Sequence, residues 1–163
     1  IEKPVIAAVS GYAVGAGAGI ALLADTVVIG NNATIGFPFF RVGLIPDYGI
    51  FFSLPRRVGV ARARQILLYA QMVKANDAYN IGLADELVSD DEVEERAVER
   101  AQELAAMPPH AFSIAKRQLG LWPTSLEAAL EMEALAQAAC FSTSEFSEGR
   151  GAFREKREPN FRN

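Results

Sequence analysis

Cysteine and histidine each occur once, as Cys140 and His110, and their scarcity closes off whole classes of chemistry. A single cysteine cannot build a disulfide framework and suits a reducing compartment, so a cytoplasmic location is expected. With no His/Cys cluster, a structural zinc site is not expected, and no other metal site is read from the chain. A Ser-His-Asp arrangement would have to rest on His110, in Pro108-Pro109-His110-Ala111-Phe112. That is a helix start, where a surface or capping histidine is the ordinary reading. Long apolar runs are missing as well. Gly, Pro or Asp interrupts every candidate before the roughly 18 residues of a membrane span. The opening Ile1-Glu2-Lys3-Pro4 also lacks the basic-then-apolar pattern of a secretory signal. The net charge of −4 argues against nucleic acid as the main partner. Neither nucleic acid nor a membrane is an expected partner.

What is present is a core. Half of the 163 residues are hydrophobic and 22% are charged, which excludes disorder and suffices for one domain, with or without a helical appendage. The chain enters a buried strand almost at once, at Val5-Ile6-Ala7-Ala8-Val9, an opening expected of a chain that starts mid-fold. It then runs through Ser10-Gly11-Tyr12-Ala13-Val14-Gly15-Ala16-Gly17-Ala18-Gly19 into an apolar helix over Ile20–Ala24 that Asp25 ends. Glycine inside a helix costs about 1 kcal/mol relative to alanine, so three at alternate positions need a reason. Either the backbone passes close to something, or bare N–H groups face a ligand. A dinucleotide fingerprint would need glycine at position 20, which is Ile20, and an acidic residue near Phe37–Phe40, where none stands. An oxyanion-holding N–H and plain close packing both stay open.

Further along, Thr26–Gly30 reads as a second buried strand and Thr34–Gly36 as a shorter third. Buried strands alternating with short helices indicate an α/β core. Phe37 to Phe52 holds five phenylalanines with little periodicity, and reads as a loop-rich apolar wall or as core aromatics. Helices are predicted over Ala61–Ala70 and Asn76–Ile81, with a strand over Ala84–Val88. Ser89…Glu92 forms a capping box for an amphipathic helix to about Met107. Further helices are predicted over Ala111–Leu119, from a cap at Thr124-Ser125-Leu126-Glu127 to about Phe141, and over Ser142–Arg157. Composition shifts from apolar α/β to charged helix between about residues 75 and 103.

Two further stretches could carry chemistry. Asp47 stands in Gly43-Leu44-Ile45-Pro46-Asp47-Tyr48-Gly49. If Ile45, Tyr48 and Phe51 face inward, partial desolvation would suit its carboxylate to general-base work; the alternative is a helix N-cap. The tail from Glu148 to Arg157 carries four basic residues and Phe153, which would suit a phosphate-bearing nucleotide or form a solvated helix end.

Taken together, these stretches resemble the enoyl-CoA hydratase/isomerase (crotonase) superfamily along the whole chain. The matching pieces are Lys3 to Gly17, Ala24-Asp25, Val42 to Gly49, Leu54-Pro55-Arg56-Arg57-Val58-Gly59 and Gly151 to Phe161. The resemblance implies an α/β, crotonase-like (ClpP/crotonase) spiral of ββα turns with a C-terminal helical trimerisation region, of which this chain holds roughly the C-terminal two-thirds. Residues 1–102 would then be the C-terminal part of the core, and 103–163 the oligomerisation and CoA-contacting region. It also implies an acyl-CoA substrate, with coenzyme A as part of the substrate and no covalently bound cofactor, and a homotrimer or dimer of trimers. By the same resemblance, the Ala16 backbone N–H is one of two enolate-oxygen donors; the other lies in a part these residues do not include. Phe153 and Lys156 correspond to the residues that reach the adenine and phosphates.

The departures from the family pattern are equally specific. Hydratases of the family hold water with two glutamates, whose positions are Gly19 and Phe39 here. A site without that pair suits a proton shuttle, which needs one base and a dry pocket. Some isomerases of the family place that base, an aspartate, where Asp47 stands. The expected activity is therefore double-bond isomerisation (delta3–delta2 type) of an acyl-CoA. A divergent hydratase, or an acyl-CoA-binding homologue without catalysis, is the alternative.

Overall fold

The computed structural model describes residues 1–121 and 125–162, arranged as two compact units: Val5–Ala101, and Ile1–Pro4 with Gln102–Asn163. In the first unit the chain alternates short strands and helices. Strands β1 (Ile6–Val9) and β2 (Tyr12–Val14) lead into α1 (Ala16–Leu22). Strands β3 (Thr26–Gly30) and β4 (Thr34–Gly36) follow, then a 3-10 turn (Phe39–Val42) and helices α2 (Ile50–Val58) and α3 (Val60–Leu68). Strand β5 (Met72–Lys74), helix α4 (Ala75–Asn80), strand β6 (Glu86–Val88) and the start of α5 (Val93–Ala105) complete it.

Two three-stranded sheets result, in the orders β1-β3-β6 and β2-β4-β5. The first is all parallel, with Ile6 opposite Thr26 and Ile29 opposite Leu87. Parallel strands are covered on both faces, which explains why β3 is apolar without alternation. Its Val27, Val28 and Ile29 are completely buried. Two carboxylates lock the start of this strand. Asp25 accepts from the Val5 N–H at 2.8 Å, while its own N–H donates to the Val5 carbonyl at 2.8 Å. Asp85 accepts from the Val27 N–H at 2.7 Å and from Arg57 Nη1 at 2.9 Å. The other arm of Arg57 donates to the Ala24 carbonyl at 3.0 Å. Asp25 thus ties strands together, where the sequence suggested only that it ends a helix; the residue capping α1 is Leu23.

Glu86 at the start of β6 is gripped by Arg96 and Arg100 of α5. Burial acts to raise its pKa. The hydrogen bonds and charges of the two guanidinium groups outweigh this and hold the carboxyl below its ordinary value.

The second unit is helical: the end of α5, then α6 (Pro109–Leu121), α7 (Leu126–Phe141) and α8 (Ser144–Glu155). Proline opens α6, as its fixed φ permits. Ser125 caps α7 by accepting from the Ala128 N–H, and Thr143 caps α8 by accepting from Phe146. Thr124, the first residue of the expected capping box, lies outside the described residues. His110 is on α6, with its backbone N–H held by the Glu145 carboxylate at 3.0 Å. Helix α7 buries little: Leu126, Leu130, Leu135 and Phe141 are all more than half exposed.

Three elements were not foreseen. Strands β2 and β5 have three residues each, too short to show alternation. Helix α2 contains Pro55, which removes one donor to the preceding turn and disguises the helix in sequence. The reading of Phe37 to Phe52 as one wall is corrected accordingly. Phe37 and Phe39 are core residues, at 1% and 8% exposure, whereas Phe40, Phe51 and Phe52 are 43–59% exposed. No helix among the described residues is long and apolar enough to cross a membrane.

Replacing Asp85 by alanine strands the buried Val27 N–H and the Arg57 guanidinium together. We expect a loss of about 2–3 kcal/mol in denaturant unfolding, against less than about 1 kcal/mol for truncating the exposed Glu99.

Candidate active site

Helix α1 begins at a glycine for a geometric reason. Gly15 has φ 59° and ψ −119°, outside the ordinary range of L residues, and donates its N–H to the Gly36 carbonyl at 2.9 Å. This extends the β2–β4 ladder by one bond and then turns the chain sharply into the helix. The next N–H, that of Ala16, opens the helix; it is capped by no side chain and makes no hydrogen bond among the described residues. An N–H in this position carries the positive end of the helix dipole. Beneath the turn lies Phe39, whose ring edge comes within 3.9 Å of where a Gly15 side chain would begin.

One turn further along the same face, α1 meets a second tight turn. Asp47, Tyr48, Gly49 and Ile50 close on a hydrogen bond from the Ile50 N–H to the Asp47 carbonyl, 3.1 Å long. Tyr48 and Gly49 both have positive φ, 49° and 73°. For glycine this is routine, but for tyrosine it costs about 1–2 kcal/mol. The turn packs on Gly19, where a β-carbon would lie 2.6 Å from Tyr48 Cβ. Ala16 and Gly19 are three residues apart on one helix, about 4.5 Å along its axis. The Asp47 turn thus meets α1 at Gly19, three residues along the helix from the bare N–H.

Asp47 itself is exposed, and its carboxylate makes no hydrogen bond or ion pair among the described residues. Two expectations change. Ile45, Tyr48 and Phe51 are 71%, 53% and 59% exposed, so they do not enclose the carboxylate as the desolvation argument required. Nor is Asp47 an N-cap: α2 starts at Ile50 behind Gly49, without a side-chain cap. What the turn does is present an unencumbered carboxylate at the surface.

Phe153 and Lys156 sit together at the end of α8, in the helical unit. Phe153 is 86% exposed, and Lys156 closes the helix in the left-handed conformation, φ 55°. Glu148 anchors the segment beyond by accepting from Arg157 at 2.6 and 3.0 Å and from the Asn160 N–H at 2.8 Å. Phe153 and Lys156 are thus three residues apart on a helix end whose following turn is fixed. Among the described residues, no cluster of His, Cys, Asp and Glu could hold a metal ion.

The strand-turn-helix with its bare N–H lies within an alternating α/β fold, β1-β2-α1 followed by β3-β4 and α2. The chain belongs to the enoyl-CoA hydratase/isomerase family, whose pattern it matches over residues 1–163. It is 42% identical over 160 residues to a probable enoyl-CoA hydratase of Rhodobacter capsulatus, covering 97% of this chain and 62% of that one. It is 35% identical over 162 residues to 1,2-epoxyphenylacetyl-CoA isomerase of Escherichia coli, covering 99% and 62%. A crystal structure of an enoyl-CoA hydratase/isomerase from Cupriavidus metallidurans superposes with a TM-score of 0.91 at 37% identity, covering 99% of this chain and 62% of that one. The chain therefore spans about six tenths of the length of these relatives, which bear both hydratase and isomerase names.

The anchor at Glu148 gives a pH test. The hydrogen bonds from Arg157 and from the Asn160 amide hold its carboxyl at about 2, below the ordinary 4.5. A depressed carboxylate contributes fully above its unfolded value and loses that contribution as pH falls toward the folded one. The Asn160 amide resonance should titrate with a midpoint near 2, and Arg157→Ala should move it up toward 4.5.

Proposed function

We propose that the protein of which this chain is part is an acyl-CoA double-bond isomerase working through a stabilised enolate. The observation that carries the reading is at α1: a bare Ala16 N–H, and at Gly19, three residues on, the packing of a strained turn whose Asp47 carboxylate is unengaged among the described residues. Asp47 takes a proton from the carbon alpha to the thioester carbonyl of a 3-enoyl chain. The negative charge moves to the carbonyl oxygen, where the Ala16 N–H, with a second donor from outside these residues, stabilises it. The same carboxyl then delivers the proton to the gamma carbon, giving the 2-enoyl product with no net change in atoms. No general-base partner for water addition stands at Gly19 or Phe39, the first packed against Tyr48 and the second buried in the core. Desolvation of Asp47 comes from the bound acyl chain rather than from its neighbours.

Phe153 supports coenzyme A as the handle, since an exposed ring offers a stacking face for adenine while Lys156 offers a positive charge to phosphate. The exposed leucines of α7 support self-association as a homotrimer or a dimer of trimers. Absent carboxylates at Gly19 and Phe39 also support a second reading, an acyl-CoA-binding homologue without turnover.

In the full-length protein, Asp47→Asn should lower isomerase kcat by about 10²–10⁴ while acyl-CoA affinity changes little. In heavy water the wild type should place deuterium at the alpha and gamma carbons without adding water. Near-normal turnover by Asp47→Asn sinks the assignment; calorimetric binding without any turnover in the wild type favours the binding-only homologue. Leu135→Glu on α7 should reduce the mass of the assembly in analytical ultracentrifugation.

A further inference from the structure

We infer that Gly19 is a positioning residue: its missing side chain is the seat on which the Asp47 turn rests. The inference rests on the reading of Asp47 as the base. A β-carbon at position 19 would lie 2.6 Å from Tyr48 Cβ, 3.1 Å from the Tyr48 carbonyl oxygen and 3.3 Å from Ile50 Cγ1. The first two atoms are fixed by the backbone of the turn, so no rotamer change relieves the overlap. Conformational freedom is not what calls for glycine there, because Gly19 has no positive φ. Packing alone explains it. Gly17 of the same helix shows the contrast, with nothing within 4 Å of its would-be β-carbon.

The seat also explains how the tyrosine tolerates its conformation. The Tyr48 side chain is 53% exposed, so its Cβ and backbone hold the turn against α1, not a buried ring. A β-carbon at the neighbouring Gly49 would lie 3.7 Å from Cδ2 of Leu23, the residue that caps α1. Two successive positive-φ residues therefore lie along one edge of α1, and the Asp47 carboxylate emerges from their N-terminal end. A glutamate at position 19 and this turn in its present place exclude each other sterically. The carboxylate-free position 19 and the aspartate turn are one device.

The test uses the full-length protein with two readouts, amide exchange and steady-state kinetics with a 3-enoyl-CoA. Gly19→Ala should quicken exchange of the Ile50 amide by about 10-fold or more, leaving the Val5 and Val27 amides unchanged. It should lower kcat by about 100-fold with KM within a few-fold, as expected for a displaced base. Adding Tyr48→Gly removes the opposing Cβ and should restore both the slow exchange and most of kcat. Unchanged Ile50 exchange in Gly19→Ala overturns the inference, as does a double variant no better than the single one. If Gly19→Ala alone does not fold, a folded double variant with a protected Ile50 amide supports the inference, and an unfolded one overturns it. Asp47→Asn separates the two readings. An active Asp47→Asn, with Gly19→Ala still loosening Ile50, removes the base and leaves the seat. An inactive Asp47→Asn with Ile50 undisturbed in Gly19→Ala removes the seat and leaves the base.

Discussion

Strand β3 is the constraint from which the larger unit is built. Its three central side chains reach no water, and both neighbouring strands lie parallel to it. Buried parallel strands leave no tolerance for an unpaired N–H or carbonyl at their ends. Asp25 and Asp85 answer that demand at the strand's entry, each accepting from a backbone N–H, while Arg57 closes the Ala24 carbonyl. Helix α1 arrives at Asp25 from the other direction. The placement of its first turn, and with it the Ala16 N–H, is therefore inherited from satisfied polar groups at the foot of the sheet.

The two tight turns on α1 are of opposite kinds. At Gly15 the strain falls on a glycine and costs little; at Tyr48 it falls on a tyrosine, held by the fit against Gly19. Strain that the surroundings over-determine concentrates at functional sites, and here it falls on the turn that carries the exposed Asp47 carboxylate. Phe39, packed under the first turn, makes the floor of the region apolar.

Much of this was legible in the residues. The apolar strands, the hydrogen-bonded Ser89–Glu92 capping pair and the proline start of α6 follow from local rules, and the structure bears them out in place. The family pattern supplied the fold that local rules could not, since pairing order between three-residue strands leaves no periodic trace. Position 19 was read as a missing glutamate. That it is also occupied space could not be read, because the contact joins residues 29 apart through backbone atoms, which leave no signature in side-chain type. The desolvation argument for Asp47 required Ile45, Tyr48 and Phe51 to face inward, and all three are exposed. Pro55 concealed a helix by the opposite logic: one unfavourable residue was tolerated where Ile50 and Leu54 anchor the same helix in the core.

Lys156 carries a consequence of a different sort. A helix ending in the left-handed conformation favours glycine, and glycine there would relieve about 1 kcal/mol of backbone cost. A selection for thermal stability alone would replace this lysine early. The lysine found there puts an ammonium group three residues from the exposed Phe153, on a less stable helix end. If Lys156 meets phosphate as proposed, the position is one where robustness and ligand affinity pull in opposite directions.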